Sequence, residues 1–131
     1  MSRPSKVMAL VPAYESSEFI QATLDSLSAQ TCPHFEVLVS VDVCDDDTAG
    51  ICLAHSHRDP RFRVVCQQGE RLGYAANCNF LIAEADADYV MLAFHDDLLE
   101  PTFVEKLCRV LDQRPEVILA FPDTHLTNID G

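Results

Sequence analysis

Five short apolar runs rich in Val, Leu and Phe punctuate the chain, at residues 7–12, 35–41, 62–66, 89–94 and 117–121. Runs of this length suit strands, being too short for independent helices. The intervening segments carry their apolar residues at helical spacing. Phe19, Ile20, Leu24 and Leu27 mark one face, and Thr48, Ile51, Cys52 and His55 a weaker one. Ala76, Phe80 and Ala83 mark a third, and Phe103, Leu107, Val110 and Leu111 a fourth. The order β-α-β-α-β-α-β-α-β predicts an α/β fold, a mostly parallel sheet with helices on both faces.

Thr102 and Glu105 have capping-box spacing just after Pro101, which predicts where the last helix starts. Asp45 to Asp47 put negative charge where the second helix begins, and the macrodipole favours it there. No repeat, low-complexity tract or linker interrupts the pattern. At 131 residues the chain suits a single domain, residues 1–131, large enough to bury a real core.

A net charge of -12 argues against nucleic acid and anionic membranes as partners, since a phosphate backbone calls for an excess of Lys and Arg. It also means that an anionic ligand would need a neutralising cation, and a divalent metal on carboxylates would serve. The opening residues lack the apolar core of a signal peptide, and no apolar run nears the roughly 20 residues of a membrane span, so the expected location is the cytoplasm. The six Cys residues have no C-x-x-C spacing and read as reduced, buried small hydrophobes. A zinc site built from Cys52, His55 and His57 with Cys44 or Cys66 is a minor alternative, as the spacing is not a common ligand pattern. A phosphoacceptor receiver domain is another, but the late run "VILAFPDTH" lacks the Lys that such a fold needs.

The run Tyr89 to Phe94 ends in His95, Asp96 and Asp97. Adjacent carboxylates repel, and each loses free energy on leaving water, so a cation between them would resolve the conflict. In open parallel sheets, ligands bind outside the carboxyl ends of the strands. Three motifs fall there: Pro12-Ala-Tyr14-Glu15, Asp42 with Asp45 to Asp47, and His95-Asp96-Asp97.

The segments "ALVPAYESSEFIQATLDSLSAQTCPHFEVLVSVDVCDDDT" and "RLGYAANCNFLIAEADADYVMLAFHDDLLEP" resemble the nucleotide-binding half of a family 2 glycosyltransferase, a Rossmann-like half of the A-type glycosyltransferase fold. The resemblance runs from about Lys6 to the end. It implies inverting sugar transfer from a nucleotide diphosphate sugar, UDP-linked by default, with Mg²⁺ or Mn²⁺. By the same resemblance Tyr14 packs on the nucleobase and Asp42 hydrogen-bonds it. Pro12, Glu15, Asn79 and His95 line the nucleotide site; Asp96 and Asp97 hold the metal, with Asp96 also at the diphosphate. Phe94 and His95 stand where a D-x-D motif has its first two positions. Glu15 replaces an Asn, Cys78 an Arg and Val41 an Asp. No residue matches the family's catalytic base; Asp123 and Asp130 do not fit that motif. The resemblance therefore implies a donor-binding domain that is incomplete at its C-terminus and open to self-association. A non-catalytic module that binds a nucleotide sugar, or that a partner completes, is the alternative.

Overall fold

Four of the five apolar runs form strands. The computed structural model describes residues 3–127; Asp130 lies outside them. The elements are β1 (Val7–Ala13), α1 (Ile20–Ser28), β2 (Phe35–Val41), α2 (Thr48–Arg58), β3 (Phe62–Cys66), α3 (Tyr74–Glu84), β4 (Tyr89–Leu92) and α4 (Phe103–Gln113). All strand pairs are parallel, in the order β3-β2-β1-β4.

Strand alternation divides the core between two layers. On one face Ala9, Val11, Val37 and Val39 pack with Ile20, Leu24 and Leu27 of α1, Cys52 of α2 and Val104 of α4. On the other, Met8, Leu10 and Leu38 pack on Leu81 of α3. The central strands β1 and β2 are thus apolar on both sides, which is why they read as continuous runs. Pro12 is tolerated inside β1 for a local reason. Leu10 turns its carbonyl to β4, accepting from the Ala93 N–H at 2.9 Å. Pro12, two residues on, faces the same way, past the last β4 pairing at Leu92, so its missing N–H leaves no ladder bond unmade.

Three expectations change. Val117 to Phe121 form no strand; Ile118 is 96% and Phe121 82% exposed, since these residues have no strand partner and β-propensity needs one. Thr102 does precede α4, but its side chain makes no capping bond. Glu105 instead accepts from the Thr31 hydroxyl at 2.6 Å. The third helix is rotated by about one position: Asn77, Cys78 and Leu81 face inward, while Ala76 and Ala83 are exposed. The buried Asn77 amide fixes that rotation by donating to the Ser40 carbonyl at 3.1 Å.

Candidate functional site

The strand order reverses between β1 and β4: β2 and β3 extend the sheet on one side of β1, and β4 on the other. A crevice opens at such a switch point, outside the carboxyl ends of the strands. Two of the predicted motifs meet directly there. The Tyr14 backbone N–H donates to His95 Nδ1 at 3.2 Å. A nitrogen that accepts carries no proton, so the ring proton of His95 sits on Nε2, which is left as a donor.

The turn after Tyr14 is strained. Glu15 has φ 43°, the left-handed region that side chains other than glycine rarely occupy. Two bonds from the β2–α2 loop hold it. Ser16 N–H donates to Thr48 Oγ1 at 2.9 Å, and Ser17 N–H to Asp46 Oδ2 at 3.1 Å. Asp46 also accepts from the Thr48 hydroxyl and backbone N–H. The hydroxyl bond, above all, holds its carboxyl far below the ordinary range. Within the acidic run Asp45 to Asp47, Asp46 is therefore a brace for the Tyr14 turn. Asp47 occupies the cap position of α2 without a side-chain bond.

Asp42 follows β2 and is 3% exposed. Its Oδ1 accepts from the N–H groups of Val43 and Leu72, both at 2.8 Å, and its Oδ2 from Gly73 N–H at 2.9 Å. Burial pushes its carboxyl up, but the bonds from Leu72, Gly73 and Val43, with Arg71 nearby, outweigh burial and leave it below the ordinary value. Asp42 thus fastens the loop that enters α3 onto the end of β2. That loop needs the positive φ of Gly73, 81°, to turn into the helix. It carries Arg71, whose guanidinium carbon lies 3.6 Å from the centroid of the Tyr14 ring and whose Nε is 3.8 Å from Asp42 Oδ2.

After His95, Asp96 and Asp97 are exposed on the loop beyond β4. Partial loss of water, then the neighbouring Asp96 charge, raises the Asp97 carboxyl above its ordinary value, with His95 pulling the other way. Among the described residues no group of three or more His, Cys, Asp and Glu side chains is placed to hold a metal by itself. A pair of carboxylates still suits Mg²⁺ or Mn²⁺, which commonly takes one or two protein carboxylates and completes its shell with substrate phosphate and water. Phe94, at the position of the missing first acid, packs near Tyr74 of α3, ring centroids 6.0 Å apart. Asn79 is exposed on α3, while Asn77 reaches the end of β2. Tyr14, Asp42 and His95 are thus brought to one rim, with Glu15 on the turn they share.

Arg71 and Asn77 escaped the sequence reading. Arg71 had one visible signal, as the sole Lys or Arg between Arg63 and Lys106. His55 and Cys52 form no zinc pair with the rim. His55 lines a polar hollow of about 630 Å³ at the far end of α2, with Gln21, Asp25, Ser28, Arg58 and Asp59. There His55 Nε2 lies 2.8 Å from the Ser28 hydroxyl, and that hydroxyl donates to Asp59 at 3.0 Å. These groups satisfy one another.

The sequence model of glycosyl transferase family 2 matches residues 8–130. The chain is 34% identical to chondroitin synthase of Escherichia coli over 137 aligned positions, covering 99% of this chain and 18% of the synthase. Its fold matches that of S. aureus TarS, solved in complex with UDP, with a TM-score of 0.77, 24% identity and coverage of 84% of this chain and 33% of TarS. It also matches a mannosyltransferase of Pyrobaculum calidifontis, solved with GDP-Man and Mn²⁺, with a TM-score of 0.67, 24% identity and coverage of 74% and 29%. The chain spans well under half the length of the first curated relatives it matches. A match over nearly all of its residues, on a parallel sheet with the strand order and switch-point rim described above, shows that the chain belongs to glycosyl transferase family 2.

Proposed function

We propose that the rim binds the donor of a sugar transfer, a nucleoside diphosphate sugar, and that the transfer is an inverting single displacement at the anomeric carbon. The observation that carries this reading is the meeting of Tyr14, His95, Asp42 and Arg71 at the switch point of a family 2 chain. Tyr14 supplies an aromatic face for the base. Asp42 sets the base end of the site; its Oδ2 accepts only from the Gly73 N–H and has a lone pair left for a donor on the base, whereas Oδ1 already holds two bonds. Pro12 and Glu15 shape the turn that presents Tyr14; Asn79, exposed on α3, is assigned to the site by the family resemblance alone.

Asp96 and Asp97 would hold Mg²⁺ or Mn²⁺ at the diphosphate, and such an ion supplies charge stabilisation to the leaving nucleotide. The proton placement on His95 favours a donor role: its Nε2–H can give a hydrogen bond to a phosphate oxygen, whereas a metal would need that nitrogen bare. UDP is the default nucleotide, in line with what TarS was solved with. Six free thiols suit the reducing cytoplasm as the location.

Calorimetric titration tests the reading with UDP, GDP and TDP, in Mn²⁺ and in EDTA, on wild type and Asp96→Asn. The expected result is UDP binding that strengthens with Mn²⁺ and loses that gain in the variant. A folded wild-type chain that binds none of the three would overturn it. A second reading, a binding module completed by a partner or a second copy, is favoured by the open face of β4, where Val90 is 50% and Leu92 40% exposed. Concentration-dependent sedimentation, lost in Leu92→Lys, would support it.

A further inference from the structure

We propose that Gln30 is a positioning residue for the divalent cation: from just past the end of α1 it sets where the Asp96–Asp97 loop stands, without a hydrogen bond to either acid. This rests on the donor-site reading above. Three observations carry it. First, the two acids do little to hold themselves. Among the described residues their one bond runs from the Asp97 N–H to the Phe94 carbonyl at 3.2 Å. The loop therefore takes its position from supports on either side. Upstream, Ala93 N–H donates to the Leu10 carbonyl of β1 at 2.9 Å, and His95 Nδ1 accepts from Tyr14. Downstream, the supports come from the end of α1 and the residues after it. Leu99 N–H donates to Ser26 Oγ at 3.2 Å, the Glu100 carbonyl accepts from Gln30 Nε2 at 2.9 Å, and the Pro101 carbonyl accepts from Thr31 N–H at 2.9 Å.

Second, Gln30 is 6% exposed and its amide is engaged at both ends. Nε2 donates to the Ser26 and Glu100 carbonyls, and Oε1 accepts from Val104 N–H at 3.1 Å. Turned over, the amide would set its NH₂ against an N–H and its oxygen against two carbonyls, so it fits one way only. Third, the same amide caps α4. Val104 is the second residue of that helix, where an N–H has no carbonyl of its own helix to reach. The Thr102 side chain makes no capping bond there, and Gln30 supplies the acceptor. One buried side chain thus fixes both the exit of the acidic loop and the first turn of the helix that follows. Mg²⁺ or Mn²⁺ tolerates little departure from its preferred geometry, so two carboxylates on a loop hold it only as well as the loop is held. Groups that orient metal ligands from behind are commonly worth about ten- to hundredfold in metal affinity.

The test compares wild type, Gln30→Met and Ser26→Ala, each titrated with uridine, with UDP in EDTA and with UDP in Mn²⁺. Gln30→Met should cut the gain in UDP affinity from Mn²⁺ by about tenfold. Uridine binding and UDP binding in EDTA should stay at the wild-type value, because the Tyr14 turn keeps its bonds to Thr48 and Asp46. Ser26→Ala, which removes one support, should lose less of the gain in the same direction, and it decides the matter if Gln30→Met does not fold. Mn²⁺ alone gives a second readout: broadening of the Asp96 and Asp97 amide signals in NMR should require more Mn²⁺ in both variants than in wild type. A Mn²⁺ gain unchanged in folded variants would overturn the proposal. So would uridine affinity falling together with the gain, which would make Gln30 a support of the whole rim. Wild type that binds UDP with no gain from Mn²⁺ would overturn it and leave the donor site standing. Wild type that binds neither ligand would remove the donor-site reading itself.

Discussion

Asp42→Asn is the sharpest test of how the rim is held together. The carboxylate accepts three backbone N–H bonds, two on Oδ1 and one on Oδ2, at 2.8 to 2.9 Å. An amide offers one oxygen and one NH₂. With the oxygen toward Val43 and Leu72, the NH₂ faces the Gly73 N–H, donor against donor. With the amide turned over, two bonds are lost. The better orientation therefore loses one charge-assisted bond and leaves a buried donor unpaired, a cost of about 2–3 kcal/mol. At a urea slope of roughly 1–3 kcal/mol/M, the unfolding midpoint should fall by about 0.7–3 M. Equilibrium unfolding in urea measures this directly, and amide exchange should show lost protection at Leu72 and Gly73. The same bonds give a pH signature. The folded carboxyl lies below its unfolded value, so its stability is present above the ordinary carboxylate range, about pH 4, and is lost as pH falls through the folded pKa. The Asn variant should have a flatter stability curve below about pH 4. A loss under about 0.5 kcal/mol with both amides still protected would refute the clamp.

Other outcomes follow from burial and pairing elsewhere in the fold. Burial, first, holds the His55 imidazole below its ordinary value, against the pull of Asp25. Its stability is therefore full above about pH 6.5 and falls as pH drops below that, and His55→Gln should flatten thermal stability between about pH 6.5 and 5. The Asp59 carboxyl is held at about 2, chiefly by the Arg61 side chain. Arg61→Met should cost about 1 kcal/mol at neutral pH, reduced by the partial exposure of the pair, and the difference should shrink as pH falls from about 4 toward 2 in urea unfolding. Leu24 is fully buried, so Leu24→Ala should cost about 3 kcal/mol in the same assay. Its place under the sheet, away from the rim, should leave nucleotide affinity unchanged.

The fold was legible where packing is decided by period and run length. β1 and β2 announce themselves because both of their faces are buried, and the four helices follow from their apolar spacing. The reading slipped where a polar contact or a missing partner decides. Asn77 looks like a surface residue beside Ala76 and Phe80, but one bond to Ser40 turns the helix to bury it. Val117 to Phe121 have strand composition, and composition cannot supply a neighbouring strand. The site's acids were legible as residues but not as roles. Asp42 was legible as an acid at a strand end, while its three N–H partners come from loop backbone that carries no sequence signature.

The electrostatics of the rim divide accordingly. Asp42 is compensated within the chain, by three N–H groups and Arg71, and its carboxyl sits low. Asp96 and Asp97 have no ion pair or side-chain hydrogen bond among the described residues, and the Asp97 carboxyl sits high despite the pull of His95. A diphosphate approaching an acidic protein is repelled mainly by the second pair, so dependence on a divalent cation should reside there and not at Asp42. Asp96→Asn should then reduce the ratio of UDP affinity with Mn²⁺ to that in EDTA. Arg71→Ala should lower both affinities and leave their ratio unchanged, because its contact is with the ring and Asp42. If Arg71→Ala instead changed the ratio as Asp96→Asn does, the base end and the phosphate end of the rim would be one electrostatic unit, and the separate roles assigned to them would fail.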